Sequence, residues 1–253
     1  MTFRKIKLII SIFIAISAII IGISSADLDL TTSIVAWGDN EDGQSTPPPF
    51  TWCNAISAGF HHSLAIKTDG SIIGWGSNDW GETSPPAGND YKLIGSGMGH
   101  GIALKNDGSL IGWGYNNNGE ATPPLGNNFK SIAIGAYHGL ALKNDNTIAG
   151  WGTNNYGQAS PPAGNNYKAI AAGGYHSLAL KNDGSIVGWG KNWQNEATPP
   201  SGNNFVAIAA GNGHSIALKS DGSLVGWGSN SYGQATPPTG NNYKAIAAGG
   251  YHS

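Results

Sequence analysis

Six histidines, His62, His100, His138, His176, His214 and His252, stand 38 residues apart, and all but His100 and His138 are followed by serine. Histidine in that number is the raw material of a metal ring, and histidine beside serine is the raw material of acyl transfer. Neither chemistry suits the spacing. A catalytic site needs different groups converging on one point, and equivalent copies around an axis converge only if they line a narrow channel. His176 and Ser177 are neighbours in an extended segment, so their side chains point to opposite faces and cannot form a dyad. The expected role is a hydrogen bond that fixes a turn, because buried polar groups need partners. No catalytic residue, metal ligand or cofactor site is therefore expected, and a hydrolase on this scaffold is the least favoured reading.

The elements that hold these histidines carry the same period. Tryptophan followed by glycine recurs at Trp37, Trp75, Trp113, Trp151, Trp189 and Trp227, and proline pairs begin at Pro47, Pro85, Pro123, Pro161, Pro199 and Pro237. A fixed period of this size signals a repeat architecture. Recurring columns build the scaffold, so the Trp and His columns are assigned to structure, and residues that vary between repeats are where function must sit.

One repeat shows the plan. Residues 167–173, 176–181 and 185–190 are three strand-length apolar segments bounded by turn residues. Asp183-Gly184 is a tight-hairpin signal; Asp69-Gly70, Asp107-Gly108 and Asp221-Gly222 repeat it, and Asp145-Asn146 uses the next-best residue. The Pro-Pro segment cannot donate to a ladder, so it reads as an outer edge strand or an extended stretch. The Ala-Gly segment suits the crowded inside. Three or four antiparallel strands per unit, repeated radially, predict an all-β propeller of six or seven blades when complete. The last repeat stops at Tyr251-His252-Ser253, so an incomplete propeller over 27–253 is expected.

The first 26 residues read differently. Arg4, Lys5 and Lys7 precede an apolar run over Leu8–Ile23, and Ser24, Ser25 and Ala26 offer a cleavage site. This is the pattern of a secretory signal peptide; an uncleaved anchor is the alternative, although 16 residues fall short of the roughly 20 that span a bilayer core. Three of the 13 basic residues and none of the 15 acidic ones lie there, so the remainder has a formal charge of −5. Nucleic acid is then not an expected partner, since phosphate binding needs clustered Lys and Arg. The single cysteine, Cys53, allows no intrachain disulfide.

The repeat Ile-Ala-Ala-Gly-x-x-His-Ser-Leu-Ala-Leu-Lys-x-Asp-Gly-Ser, continuing through Trp-Gly-x-Asn-x-x-Gly-Gln, resembles the repeats of the regulator of chromosome condensation family over about residues 33–253. Short spacing and the leader look most like its bacterial relative, the type II beta-lactamase inhibitory protein. The resemblance implies a propeller, usually of seven blades. The family includes a nucleotide exchange factor whose activity needs an inserted wedge; intervals of 38 throughout leave no room for one. What the resemblance carries over is a mode: loops on one end face gripping a protein.

That face can be named. The turn before each histidine and the loop after each Trp-Gly lie at the same end of the strands. They carry Phe60, Met98, Tyr137, Tyr175 and Tyr251, and Trp80, Tyr115, Tyr156, Trp193 and Tyr232. Turns call for glycine and polar residues, whereas interface hot spots are rich in Trp and Tyr. Trp80, Tyr115, Tyr137, Tyr156, Tyr175, Trp193 and Tyr232 are the candidate binding residues. Asp39, Glu41, Asp42, Asp79, Glu82, Glu120 and Glu196 share the face, with Lys191 its only base. The expectation is a secreted or cell-surface, monomeric, non-enzymatic module that docks an extracellular or periplasmic protein with a basic rim. A carbohydrate-binding or adhesion module is the alternative.

Overall fold

The computed structural model describes residues 9–11, 34–49 and 52–253, and every regular element in them is a strand. The leader expected over residues 1–26 lies outside the described residues except for β1 (Ile9–Ser11), which pairs in parallel with β2 (Val35–Trp37). Five three-stranded antiparallel sheets follow: β3 (Cys53–Ala58), β4 (His62–Lys67) and β5 (Ile72–Gly76); β6 (Tyr91–Ser96), β7 (His100–Lys105) and β8 (Leu110–Gly114); β9 (Phe129–Ile134), β10 (His138–Lys143) and β11 (Ile148–Gly152); β12 (Tyr167–Ala172), β13 (His176–Lys181) and β14 (Ile186–Gly190); β15 (Phe205–Ala210), β16 (His214–Lys219) and β17 (Leu224–Gly228). The His strand is central in every sheet. This is an incomplete β-propeller. Residues 243–253 begin a sixth unit without ladder pairing, and Gly249 N donates to His252 O as in the five turns before it.

Each blade is made by its turns. Gly70, Gly108, Gly184 and Gly222 have φ of 81–86°. A Cβ at Gly70 would also lie 2.1 Å from the Asn89 carbonyl oxygen, so conformation and close approach both demand glycine. Asn146 takes this place in the third blade with φ 65°, the one left-handed conformation a polar side chain tolerates well.

The Pro-Pro segment forms no fourth strand, so the blades have three. The missing proline donor is half the reason. The other half is backbone contact: a Cβ at Gly112, Gly150, Gly188 or Gly226 would fall 2.3–2.4 Å from the carbonyl of Ala121, Ala159, Ala197 or Ala235. The segment lies flat against the Gly-Trp-Gly strand instead of bonding to its edge.

Inner strands β3, β6, β9, β12 and β15 follow one another around the axis. They line an axial cavity of about 260 Å³ walled by alanine and isoleucine, with Ser57 and Lys244 as polar members. The core lies between blades. Leu64 and Ile66 of one sheet join Tyr91, Ile94 and Trp113 of the next in a single buried cluster. Such contacts remove about 150–250 Å² of each aromatic from water, worth several kcal/mol at ~25 cal/mol per Å².

Candidate functional site

The histidine column stitches blades together. His138 Nε2 lies 2.8 Å from Ser177 Oγ, His176 Nε2 2.8 Å from Ser215 Oγ, and His214 Nε2 2.8 Å from Ser253 Oγ, each pair crossing a seam. Ser177 Oγ donates its proton to Gln158 O at 2.9 Å. A hydroxyl has one proton, so the imidazole must be the donor at Nε2. A nucleophile and its base need the opposite polarity, and both side chains are fully buried. The pair is a strut between blades. The turn itself is closed by backbone, Gly135 N to His138 O at 2.9 Å, so the histidine does not fix the turn as the sequence suggested. Glycine is needed there because a Cβ at Gly135 would sit 2.6 Å from the imidazole.

Two histidines lack this strut. His62 and His100 precede seams whose partner column holds Gly101 and Gly139, and neither of their ring nitrogens has a hydrogen-bond partner among the described residues. A Cβ at Gly139 would meet the Trp151 indole at 2.1 Å, and one at Gly101 the Trp113 indole at 2.4 Å. The tryptophan has taken the serine's space. Burial holds the column neutral: the pKa falls to about 4 in His62, His100 and His214 and to about 3 in His138 and His176, with neighbouring histidines adding to the effect in each.

The tryptophans complete the seams. Nε1 of Trp75, Trp113, Trp151, Trp189 and Trp227 donates at 2.8–3.0 Å to the carbonyl of Gln44, Glu82, Glu120, Gln158 and Glu196, each 31 residues earlier. Trp75, Trp113 and Trp151 are buried, whereas Trp189 and Trp227 are half-buried. Trp37 departs from its column: it is 44% exposed, and among the described residues its strand pairs only with β1.

The two loop sets do share one end. Ser77 N, Tyr115 N, Thr153 N, Lys191 N and Ser229 N each donate to the turn carbonyl of their own blade, at His61, Gly99, Tyr137, Tyr175 and Gly213. Within each loop an asparagine braces the backbone, as Asn154 Oδ1 accepts from Ala159 N at 2.9 Å. A buried Glu or Gln closes the rest: Trp80 N donates to Glu82 Oε2, Asn118 N to Glu120 Oε2, Tyr156 N to Gln158 Oε1 and Gln194 N to Glu196 Oε2. Glu82, Glu120 and Glu196 are at most 2% exposed and do not belong to an acidic platform. For Glu120, burial raises the pKa, but hydrogen bonds from Asn118 and Thr153 outweigh it and the net shift is downward. The exposed acids of the face are Asp39, Glu41, Asp42 and Asp79, all in its first two loops.

The candidate rings meet in three groups. Trp80 and Tyr115 pack edge to face, with centroids 5.4 Å apart. Tyr137 stacks on Tyr175 at 5.1 Å, and Tyr156 sets its edge against Tyr175 at 5.7 Å and Trp193 at 5.4 Å. Tyr232 meets Tyr251, which also belongs to this surface, at 5.6 Å. Burial, then the bond to Tyr137, pushes the Tyr175 phenol to about 12. Tyr115, Tyr137 and Tyr175 are half-buried supports, while Trp80, Tyr156, Trp193 and Tyr232 are exposed.

Segments 54–81, 91–120, 129–158, 167–193 and 205–234, together more than half of the chain, match the family described as Regulator of chromosome condensation (RCC1) repeat. The chain belongs to the RCC1 repeat family. Comparison with curated protein sequences returns no match. Among solved structures it is similar to the ectodomain of the Physcomitrella patens receptor kinase CR4, with a TM-score of 0.66 and 24% identity over 80% of this chain and 58% of that one. The CRINKLY WD40 ectodomain of the Arabidopsis thaliana receptor kinase ACR4 gives 0.67 and 23% identity, over 80% and 76%. Prp20p from Saccharomyces cerevisiae gives 0.64 and 19%, over 84% and 64%. At these identities the likeness is one of fold. The chain thus spans little more than half the moss ectodomain.

Within this RCC1-repeat propeller, sequence reasoning named Lys191 only as the base of the end face and did not place it among the rings. Its ammonium lies 4.4 Å from the Trp193 ring centroid and 5.7 Å from that of Tyr175. The signal was present: the same column holds Ser77, Tyr115, Thr153 and Ser229 in the other blades.

Proposed function

We propose that this RCC1-repeat propeller is a protein-docking module whose contact surface is the aromatic end face, presented outside the cytoplasm after residues 1–26 direct export. One observation carries the reading. The loops are braced by Asn side chains and by buried Glu or Gln, so folding does not call for the exposed rings of Trp80, Tyr156, Trp193 and Tyr232. Exposed clustered aromatics mark interaction sites. Asp39, Glu41, Asp42 and Asp79 favour a partner with a basic rim. Two relatives in fold are receptor ectodomains, and Prp20p was characterised for binding Gsp1p and histones; both support recognition of proteins by such propellers. The chain itself is read as a non-enzymatic binder.

The test replaces Trp80, Tyr156, Trp193 and Tyr232 together by alanine. Crosslinked capture of a surface or secreted protein by the parent chain should disappear, while circular dichroism and the melting transition persist. Capture that survives in the folded variant, or a variant that unfolds, overturns the reading. Loss of glycan-array binding in place of protein capture would move the assignment to carbohydrate. N-terminal sequencing of the exported chain should start near Asp27.

A further inference from the structure

We propose that Tyr156, Tyr175 and Trp193 form a subsite for an alkylammonium group, a lysine or methylated lysine side chain of the docking partner, which Lys191 fills in the free protein. The inference rests on the end-face reading and names the chemistry one part of that face recognises. The rings already hold such a group. Lys191 Nζ sits over Trp193 at 4.4 Å and over Tyr175 at 5.7 Å, and Tyr156 abuts both rings from the side. Tyr137, stacked behind Tyr175, holds that wall in place. Electron-rich ring faces attract a cation through their quadrupole. The ion pairs among the described lysines involve Lys67 and Lys105, not Lys191, so the rings are its partners.

Two further features set this loop apart. The backbone bond that Lys191 N makes to Tyr175 O is made by Ser77, Tyr115, Thr153 and Ser229 in the other blades, so folding does not require lysine here. Asn195 has φ 64°, where the corresponding residues are Gly43, Gly81, Gly119, Gly157 and Gly233. Asparagine tolerates that conformation, as Asn146 does in the third hairpin, so the change from glycine gives this loop a side chain there that the other loops lack. The loop also carries its aromatic residue one position earlier than Trp80, Tyr156 and Tyr232 do in theirs. It is the loop furthest from the repeat, and it is the one whose rings face a cation.

The strength of the contact makes exchange feasible. An exposed cation–π contact contributes about 0.5–1 kcal/mol, so displacing Lys191 weakens an incoming cation by roughly two- to fivefold. The exposed carboxylates of Asp39, Glu41, Asp42 and Asp79 on the same end face favour a partner that brings positive charge.

The probe is Nα-acetyl-Nε-trimethyl-lysine amide, titrated into the full chain while the Trp193 indole N–H resonance is followed, assigned with Trp193→Phe. The parent chain should bind it weakly and Lys191→Ala two- to fivefold more tightly. Lys191→Ala combined with Trp193→Ala, which lacks the reporter indole and is titrated by calorimetry instead, should not bind, and a neutral isostere with a tert-butyl group in place of trimethylammonium should bind to neither the parent chain nor Lys191→Ala. Equal binding of the isostere, or no tightening on loss of Lys191, overturns the proposal. If the cation binds while the four-ring variant still captures its partner, the docking reading fails and the subsite stands. If capture needs the rings but the cation does not bind, the reverse holds.

Discussion

Trp151 shows what a single repeat residue contributes. It is buried against the preceding blade and donates to Glu120 O at 2.9 Å. Trp151→Ala should cost about 3–5 kcal/mol through lost burial and a residual cavity, read as a fall in the denaturant midpoint. An unchanged midpoint would mean the seam does not depend on it. Gly139, in the column that holds Ser63, Ser177 and Ser215 in other blades, tests the two seam designs. Gly139→Ser adds the hydroxyl His100 lacks, but its Cβ would enter the Trp151 ring. Overpacking of that kind costs about 1–3 kcal/mol, so calorimetry should show a lower melting temperature despite the added hydrogen-bonding group. Ser177→Ala should also destabilise, by about 1–3 kcal/mol, because the His138 Nε2 proton loses its acceptor.

At the level of elements, much was legible in the sequence. Period-2 apolar alternation places β12 and β13 within a residue of their observed bounds, and Asp-Gly marks the hairpins. Two things were not legible. The Pro-Pro segment looks like an edge strand because extended backbone and strand share one local conformation; only the glycines opposite reveal that it lies flat. Glu82, Glu120 and Glu196 look like surface acids because loop residues are usually exposed, yet Gln44, Gln158 and Gln234 in the same column point to a hydrogen-bonding rather than an electrostatic role. The rings of the end face were readable as a set because they stand out against polar loops. Their partition into three groups was not, because it depends on which blades bring their loops together. The left-handed Asn195 gives an element-scale prediction. Asn195→Val should cost about 1–2 kcal/mol in chemical denaturation, since a β-branched residue resists positive φ, whereas Asn195→Gly should stay within about 0.5 kcal/mol. Equal effects would show that the loop relaxes out of that conformation.

For the whole molecule, the histidine column sets acid tolerance. Five histidines have folded pKa values of about 3 or 4 against 6.5 in the open chain. Above pH 6.5 both states are neutral and the column's contribution is complete. Below it the unfolded chain binds protons that the folded one refuses, so stability falls until the folded pKa values are reached. Each histidine contributes a slope of about 1.4 kcal/mol per pH unit in that window. The turn aspartates, lowered chiefly by their Ser or Thr hydrogen bonds, act in the same direction at lower pH. A steep loss of melting temperature between pH 6.5 and 4, with uptake of several protons on unfolding, is expected. A flat profile across that range would show that the buried histidines exchange with water before the fold opens.

The seam strut has an evolutionary reading. Its central acceptor is a main-chain carbonyl, which any residue supplies, and its other members recur at a constant offset. Removing residues 167–204 as one unit would bring His138 to Ser215 and leave Gln158 O to receive Trp227, with every bond type conserved. Copies of this unit are therefore interchangeable at their borders, and the ancestral gene could gain or lose them by unequal crossing-over without reinventing a joint. The blades that follow His62 and His100 are less free. Gly101 and Gly139 are fitted to the indoles of their own blades, so each of these two units must be inherited with its glycine and tryptophan together.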